Sequence, residues 1–153
     1  MKIGFTIGKF APFHKGHEYL IKSALKDTDE FYIVIYDTND YEINMKEKWI
    51  KSVFPNVHIL KAFNSPKEYG LDENSINIQM KYLSNILKNI PVTHFYSSEE
   101  YGVYVSKYLN ITNVLIDKDR NKYNISSRKI KEDINKYKEY LNDDVYNDIN
   151  VIC

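Results

Sequence analysis

The sequence predicts an α/β fold of the Rossmann-like kind, a parallel sheet of about five strands with helices on both of its faces. Three observations indicate this fold. Short apolar runs alternate along the chain with segments whose apolar residues recur at helical spacing. Polar residues or glycines follow these runs, as expected where a strand ends and a loop leads to a helix. No repeat or low-complexity linker interrupts this order, and 153 residues are the size of one domain.

Five apolar runs are the strand candidates. In chain order they are residues 3–7, 31–36, 58–63, 94–96 and 113–117. Their shortness and their β-branched and aromatic residues favour strands over helices. The first two runs are apolar throughout, which is typical of strands buried on both faces. Strands that alternate with helices imply crossover connections and therefore a parallel sheet.

The predicted helices lie between and after these runs. The first follows His17 and extends to about Leu25, and the second contains Trp49 in the core and ends before Pro55. The third and fourth are expected to end near residues 89 and 109. Small polar residues that can accept a hydrogen bond from the first N–H groups of a helix mark helix starts. The N-cap candidates are Asn44, Asn74 or Ser75, Ser98 and Ser126.

The composition excludes several classes of partner and site. Lys and Arg together number 21, as do Asp and Glu, so a formal net charge of zero argues against a nucleic-acid or membrane surface as the main partner. The single cysteine, Cys153, excludes an internal disulfide framework and a cysteine-based zinc site. No apolar run approaches the roughly 20 residues of a membrane span, and the N-terminus lacks a signal-peptide pattern. We therefore expect a cytoplasmic protein; a homo-oligomer is left open.

The stretch 8–17, G-K-F-A-P-F-H-K-G-H, connects the first strand to the first helix. In a parallel sheet this turn opens at the carboxyl edge, where ligands bind, and the helix behind it offers N–H groups and a positive dipole end to an anion. Gly8 and Gly16 permit close approach, and His14 and His17 can face one ligand from the first turn. The pattern favours a phosphate site over the alternative, an ordinary loop with two solvated histidines.

A second polar stretch follows the fifth strand candidate. It begins with Asp117 and Arg120 and reaches Ser126, where the final helix is predicted to start. A capped helix start again offers N–H groups to a phosphate, and Arg128 and Lys131 can share one helix face. Two such helix starts in one sheet suit a polyphosphate held at both ends. The alternative is a capped amphipathic helix with solvated cations.

These two stretches resemble the motifs of a known superfamily. Residues 14–17, H-K-G-H, resemble the (H/T)xGH motif of the nucleotidylyltransferases, and residues 125–131 resemble their I-S-x-T-x-x-R/K motif. Over nearly the whole chain the sequence is similar to the adenylyltransferase domain of the NadR-type enzymes. Besides the two motifs, this similarity is carried by residues 8–10, 48–49, 62–64, 96–99 and 114–117. The chain departs from that family at Arg128 for Thr, at Lys131, Lys46 and Lys48 for Arg, and in having no tryptophan around residues 71–74.

The resemblance implies the nucleotidylyltransferase fold and a single domain over residues 1–153, with a core to about residue 141 and a tail over 142–153. No kinase P-loop pattern follows, and no kinase domain or helix-turn-helix segment is expected. The implied reaction is in-line adenylyl transfer from ATP to nicotinamide mononucleotide (NMN), giving NAD and pyrophosphate, with Mg2+ held mainly by the phosphates.

The resemblance also implies residue roles. Catalytic roles fall to Lys9, His14, His17 and Arg128. ATP binding falls to Gly8, Lys9, Phe10, His14, Gly16, His17, Asp117, Arg120, Ser126, Ser127, Arg128 and Lys131. Acceptor binding falls to Lys9, Lys46 and Lys48.

Two kinds of alternative are left open. The acceptor could be nicotinate mononucleotide, phosphopantetheine, or an alcohol phosphate in a CTP-dependent transfer, which Lys131 favours. An alternative from another class is a catalytically weak nucleotide-sensing module, which the altered second motif supports.

Overall fold

A computed structural model describes residues 1–67, 70–117 and 122–152. Its sheet confirms the predicted α/β fold. The strands of the described residues are β1 (Ile3–Gly8), β2 (Glu30–Tyr36), β3 (His58–Ala62), β4 (His94–Ser97) and β5 (Thr112–Leu115). They lie in the order β3-β2-β1-β4-β5, and every neighbouring pair is parallel.

Helices connect and follow these strands. They are α1 (Lys15–Asp27), α2 (Ile43–Val53), α3 (Glu73–Ile86), α4 (Gly102–Leu109), α5 (Ser127–Glu132) and α6 (Asp143–Ile152), with a short 3₁₀ turn at Lys138–Tyr140. In the part of the chain that the structure describes, no helix is both long and apolar enough to cross a membrane.

The helix starts differ from the predicted caps at three of four places. Ser126 caps α5 as predicted, since its side chain accepts from the N–H of Lys129. Asn44 lies inside α2 instead of capping it, and its Oδ1 accepts from Lys61 Nζ at 2.8 Å.

The caps of the third and fourth helices were also predicted wrongly. The α3 cap is Asp72, whose carboxylate accepts from the N–H of Ser75 at 3.1 Å. Ser98 does not cap α4, because a turn separates it from the first helical residue, Gly102.

Two apolar layers cover the faces of the sheet. In β2, Ile33 and Ile35 join one cluster and Val34 joins the other, since successive strand residues point to opposite faces. The first cluster contains Trp49 of α2, which is fully buried as predicted.

Residues 143–152, expected to be a tail outside the core, form α6. This helix is part of the core, because Val145 and Ile149, one helical turn apart, are fully buried against the first cluster. The Trp49 indole donates from Nε1 to Asp148 Oδ2 of α6 at 2.8 Å.

The strand order places a topological switch next to β1. The chain moves from β1 outward through β2 to β3, then crosses back to β4 on the other side of β1. Connections on the two sides of β1 therefore diverge at its carboxyl end, and an open crevice forms there, which is where ligands bind in sheets of this kind.

Candidate active site

A cleft of about 1210 Å³ opens at the carboxyl edge of the sheet. It is lined by the ends of β1 and β4, by the loops after β2 and β3, and by α5. Small-molecule pockets usually measure about 300–1,000 Å³. The cleft is thus large enough for two ligands side by side.

Most of the predicted site residues line this cleft. Those that do are Gly8, Lys9, Phe10, His14, Gly16, His17, Asp117, Ser127 and Lys131. Ser126, Arg128, Lys46 and Lys48 are not among the lining residues. Arg120 lies outside the described residues.

The two histidines cap helix α1 with their rings. The Nδ1 atom of His14 accepts from the backbone N–H of Gly16 at 3.0 Å, and the Nδ1 atom of His17 accepts from the backbone N–H of His14 at 3.1 Å. Together they form a reciprocal capping box, a role usually played by Ser or Thr with Glu. The sequence analysis assigned the rings to a ligand and missed this structural role.

The capping bonds determine which ring nitrogen carries the proton. A nitrogen that accepts an N–H bond has no proton, so a neutral ring that accepts at Nδ1 carries its proton at Nε2. The rings of His14 and His17 stack with centroids 3.7 Å apart, and both residues line the cleft. Each ring is therefore held as an Nε2–H donor at one spot beside the start of α1.

Two phenylalanines hold the His17 ring in place. The ring lies parallel to Phe13, with planes 4° apart, and edge-on to Phe10, with centroids 4.8 Å apart. Gly16 leaves room for the neighbouring ring, because a Cβ at Gly16 would lie 2.8 Å from His14 Cε1. Gly8 similarly leaves room for the Phe10 ring, 3.0 Å from where its Cβ would be. Both glycines thus serve the packing of the rings.

Helix α5 brings some of its predicted residues to the cleft and turns others away. Ser127 and Lys131, one turn apart, line the cleft, and the Ser127 hydroxyl donates to the Pro12 carbonyl at 3.2 Å. Arg128 lies about 100° further round the helix. Its side chain is 91% exposed and is paired with Glu132 along the same helix. The structure therefore brings Lys131 to the cleft and leaves Arg128 at the surface, so a role of Arg128 at the phosphates stays a prediction.

The two lysines assigned to the acceptor have different environments. Lys46 is fully buried next to the cleft, where its Nζ donates to the Tyr36 carbonyl at 3.1 Å and to Thr38 Oγ1 at 2.6 Å. Burial lowers the pKa of Lys46 to about 8. Lys48 instead points to the surface and pairs with Asp148 at 3.1 Å. Helical spacing places positions 46 and 48 on different sides of α2, so only Lys46 adjoins the cleft.

The loop after β2 contributes groups that the sequence analysis did not assign to the site. Asp37 accepts from the N–H groups of Asn64 and Ser65 and from the Ser65 hydroxyl, and so holds the loop after β3. Burial acts to raise the pKa of Asp37, but these bonds outweigh it and the pKa lies below its usual value. Asp40 forms an ion pair with the Lys131 ammonium group of α5. The signal for Asp37 was its position directly after a buried strand.

Tyrosines enclose the part of the cleft between the loops after β3 and β4. Tyr36 and Tyr101 line it, and the Tyr36 hydroxyl is buried without a hydrogen-bond partner among the described residues. Burial raises the pKa of Tyr101 to about 12 and also raises that of Tyr36. No tryptophan is present in this region of the sequence, so these rings supply its aromatic surface.

Asp117, which follows β5, also lines the cleft. It has a left-handed φ of 48°, and its carboxylate accepts from the N–H of Lys122 at 2.9 Å. Among residues 1–67, 70–117 and 122–152, no three His, Cys, Asp or Glu side chains are grouped so that they could hold a metal ion.

Known proteins resemble the chain in sequence and in fold. No protein-family model matches it. It is 32% identical over 161 residues to the trifunctional NAD biosynthesis/regulator protein NadR of Salmonella typhimurium, an alignment that covers 91% of this chain and 38% of that protein. It is 33% identical over 95 residues to the phosphopantetheine adenylyltransferase of Fusobacterium nucleatum, covering 56% of each.

The fold is shared with a solved enzyme. The bifunctional NMN adenylyltransferase/ADP ribose pyrophosphatase of Francisella tularensis, solved with AMP and a manganese ion, superimposes with a TM-score of 0.64. At 18% identity the match covers 94% of this chain and 43% of that one. The chain thus spans less than half of the length of NadR and of this enzyme. By sequence the chain is similar to NadR over most of its own length, and its fold is that of the solved NMN adenylyltransferase structure.

Proposed function

We propose that this chain transfers an adenylyl group from ATP to NMN, giving NAD and pyrophosphate. The observation that carries the proposal is the capping pair, which holds two Nε2–H donors beside a helix start at the edge of a large cleft. A helix start attracts phosphate, and neutral imidazole donors stabilise charge that develops on it. The similarity to NadR supports the choice of substrates.

The reaction needs no protein nucleophile. An oxygen of the NMN 5′-phosphate attacks the α-phosphorus of ATP, the new P–O bond forms, and the bond to the β-phosphate oxygen breaks with its electron pair leaving on pyrophosphate. Catalysis then consists of positioning and charge stabilisation. His17 donates to the α-phosphoryl group and His14 to the phosphates beside it. Lys9 contacts donor and acceptor phosphates, and Ser127 and Lys131 bind the β- and γ-phosphates.

Lys46 supports the acceptor side of the cleft. It is bonded to the loop after β2 and is buried, so a mononucleotide phosphate near that loop gains a cation with few competing waters. Mg2+ would be held mainly by oxygens of the bound phosphates. The ion would supply neutralisation of the polyphosphate charge.

A second candidate is adenylyl transfer to phosphopantetheine. It is favoured by the similarity to the Fusobacterium nucleatum phosphopantetheine adenylyltransferase. The same donors would act on ATP, and only the occupant of the tyrosine-lined part of the cleft would differ.

Pyrophosphate release tests the proposal. Purified protein with Mg2+ is given ATP or CTP, each paired in turn with NMN, nicotinate mononucleotide, phosphopantetheine and glycerol 3-phosphate. Release with ATP and NMN above all other pairs is the expected result, and NAD should form in equal amount. Faster release with phosphopantetheine selects the second candidate. ATP binding without pyrophosphate release from any pair would refute the enzymatic proposal and favour a nucleotide-sensing module.

A further inference from the structure

An ion pair connects the loop after β2 to helix α5. The Lys131 ammonium contacts Asp40 Oδ2, and both residues line the cleft. Their side chains are 45% and 34% exposed, so the pair is at the cleft surface and within reach of a ligand. The cleft-facing ammonium group of Lys131 is thus paired with a carboxylate of the protein itself.

The carboxylate of Asp40 is fixed independently of Lys131. Its Oδ1 accepts from Thr38 Oγ1 at 2.5 Å and from the N–H of Tyr41 at 3.0 Å. Thr38 in turn accepts from the buried Lys46 at 2.6 Å. Burial acts to raise the pKa of Asp40, but the bonds from Lys131 and Thr38 outweigh it and hold the pKa below its usual value. Asp40 is therefore a carboxylate held in a set position, with a pKa that favours its charged form.

We propose that Asp40 competes with the nucleoside triphosphate for Lys131 and thereby sets the affinity of the cleft for polyphosphate. The proposal rests on the proposed function only in that a polyphosphate binds beside Lys131. Asp40 then acts as an internal substitute for a phosphate oxygen. Lys131 leaves Asp40 when ATP binds and pairs with it again when pyrophosphate leaves.

Elementary electrostatics supports the competition. A phosphate and a carboxylate both accept from an ammonium group, and two anions held against one cation repel each other. Because Thr38 and Tyr41 hold Asp40 in place, Lys131 is the partner that must move, and its long side chain permits this. The ATP affinity is therefore reduced by the ion pair that is lost and by the anion that remains.

Asp40→Asn removes the charge and leaves the local bonds. Its Oδ1 can still accept from Thr38 and Tyr41, so the loop should keep its shape. We expect Asp40→Asn to bind Mg-ATP about three- to tenfold more tightly than the wild type, as lost competition from a partly exposed pair plus a lost repulsion would give. Pyrophosphate should bind more tightly by a similar factor.

Matched controls separate competition from a general charge effect. Glu132→Gln makes the same charge change on α5, at the exposed pair with Arg128, and should leave both affinities unchanged. In a Lys131→Ala background, Asp40→Asn should tighten binding by a smaller factor, because the competition for the cation is gone and only the repulsion between Asp40 and the phosphates is relieved. Thermal unfolding of every variant shows that the proteins are folded.

Isothermal titration with Mg-ATP and with pyrophosphate is the deciding measurement. Tighter binding by Asp40→Asn that depends on Lys131 supports the competition. Unchanged or weaker binding, or equal tightening in the Lys131→Ala background, overturns it. Wild-type binding of Mg-ATP without pyrophosphate release would refute the proposed function while the titrations still decide the competition. A wild type that binds neither ligand would overturn both.

Discussion

The His17 ring makes two contacts that substitution can separate. Nδ1 accepts from the backbone N–H of His14, and Nε2 carries the proton assigned to the α-phosphoryl group. In His17→Asn, the side-chain oxygen occupies the place of Nδ1, so the cap remains and the donor is lost. In His17→Gln, the amide nitrogen occupies the place of Nε2, so the donor remains and the cap is lost.

The structure gives the size of each loss. Removing a transition-state donor typically costs about 10²–10³ in turnover, which is the expected effect of His17→Asn. Removing an N-terminal cap costs about 1 kcal/mol, or about 2–4 °C in Tm for a chain of this size. Both variants lose the ring contacts with Phe10, Phe13 and His14, roughly 1 kcal/mol more. His17→Gln should therefore unfold earlier than His17→Asn yet turn over faster.

The rate of pyrophosphate release at saturating ATP and acceptor ranks the variants by turnover, and thermal unfolding of the same samples ranks them by Tm. His17→Ala, which lacks cap and donor, is the common reference and should be lowest in each. Turnover that follows Tm across the three variants would refute the separate roles of the two nitrogens, because it would make every loss of activity a loss of structure.

Three further predictions concern the surroundings of the site and the core. Gly16→Ala should lose more than tenfold in turnover, since its Cβ would lie 2.8 Å from His14 Cε1 and displace that ring; steady-state rates check this, and a wild-type rate would contradict it. Lys46 has its pKa lowered to about 8 by burial, so the unfolded chain binds more protons between pH 8 and 10.5 and wild-type stability should rise with pH in that window relative to Lys46→Met. Urea unfolding at pH 7.5 and 9.5 tests this, and a constant difference between the two proteins would count against it. Asp148→Ala should cost about 1–3 kcal/mol by leaving the buried Trp49 N–H without an acceptor, whereas Asp148→Asn should cost less; equal losses in urea unfolding would contradict the role of that bond.

The parts of the fold that were predicted correctly depend on strong local signals. The apolar runs ending at Gly8 and Tyr36 are strands because such runs must be buried on both faces of a sheet. Ser126 caps α5 because its hydroxyl is placed just before the first turn, where it accepts from the N–H of Lys129. Asn44 failed as a cap because Lys61, distant in sequence, takes its side-chain oxygen. Val145 and its neighbours had a readable helical pattern, and their burial depends on α2, which lies far away in sequence.

In the site, too, the features set by local sequence were predicted, and those set by contacts between distant residues were not. The residues 8–17 were placed correctly at the cleft because a strand, a turn with two glycines and a helix define that position. Which side chain of α5 faces the cleft depends on how the helix is rotated about its axis. The spacing in the sequence relates the positions of Arg128 and Lys131 on the helix but does not determine which of them faces the cleft. Asp40 was missed because a carboxylate is not expected in a phosphate cleft, and only the contact with Lys131 reveals its role.

The capping histidines explain how a short loop can prepare a site before any ligand arrives. A helix start leaves N–H groups that need acceptors, and a serine there would satisfy them without offering anything further to a phosphate. An imidazole has two nitrogens on opposite sides of one rigid ring, so accepting at Nδ1 also fixes the direction of Nε2–H. Since the same bonds stabilise α1, the donors of His14 and His17 are aligned by the folding of the helix itself. In the proposed reaction, charge that develops on the α-phosphoryl group would meet donors that need little reorganisation, which is the condition under which such donors contribute most to the rate.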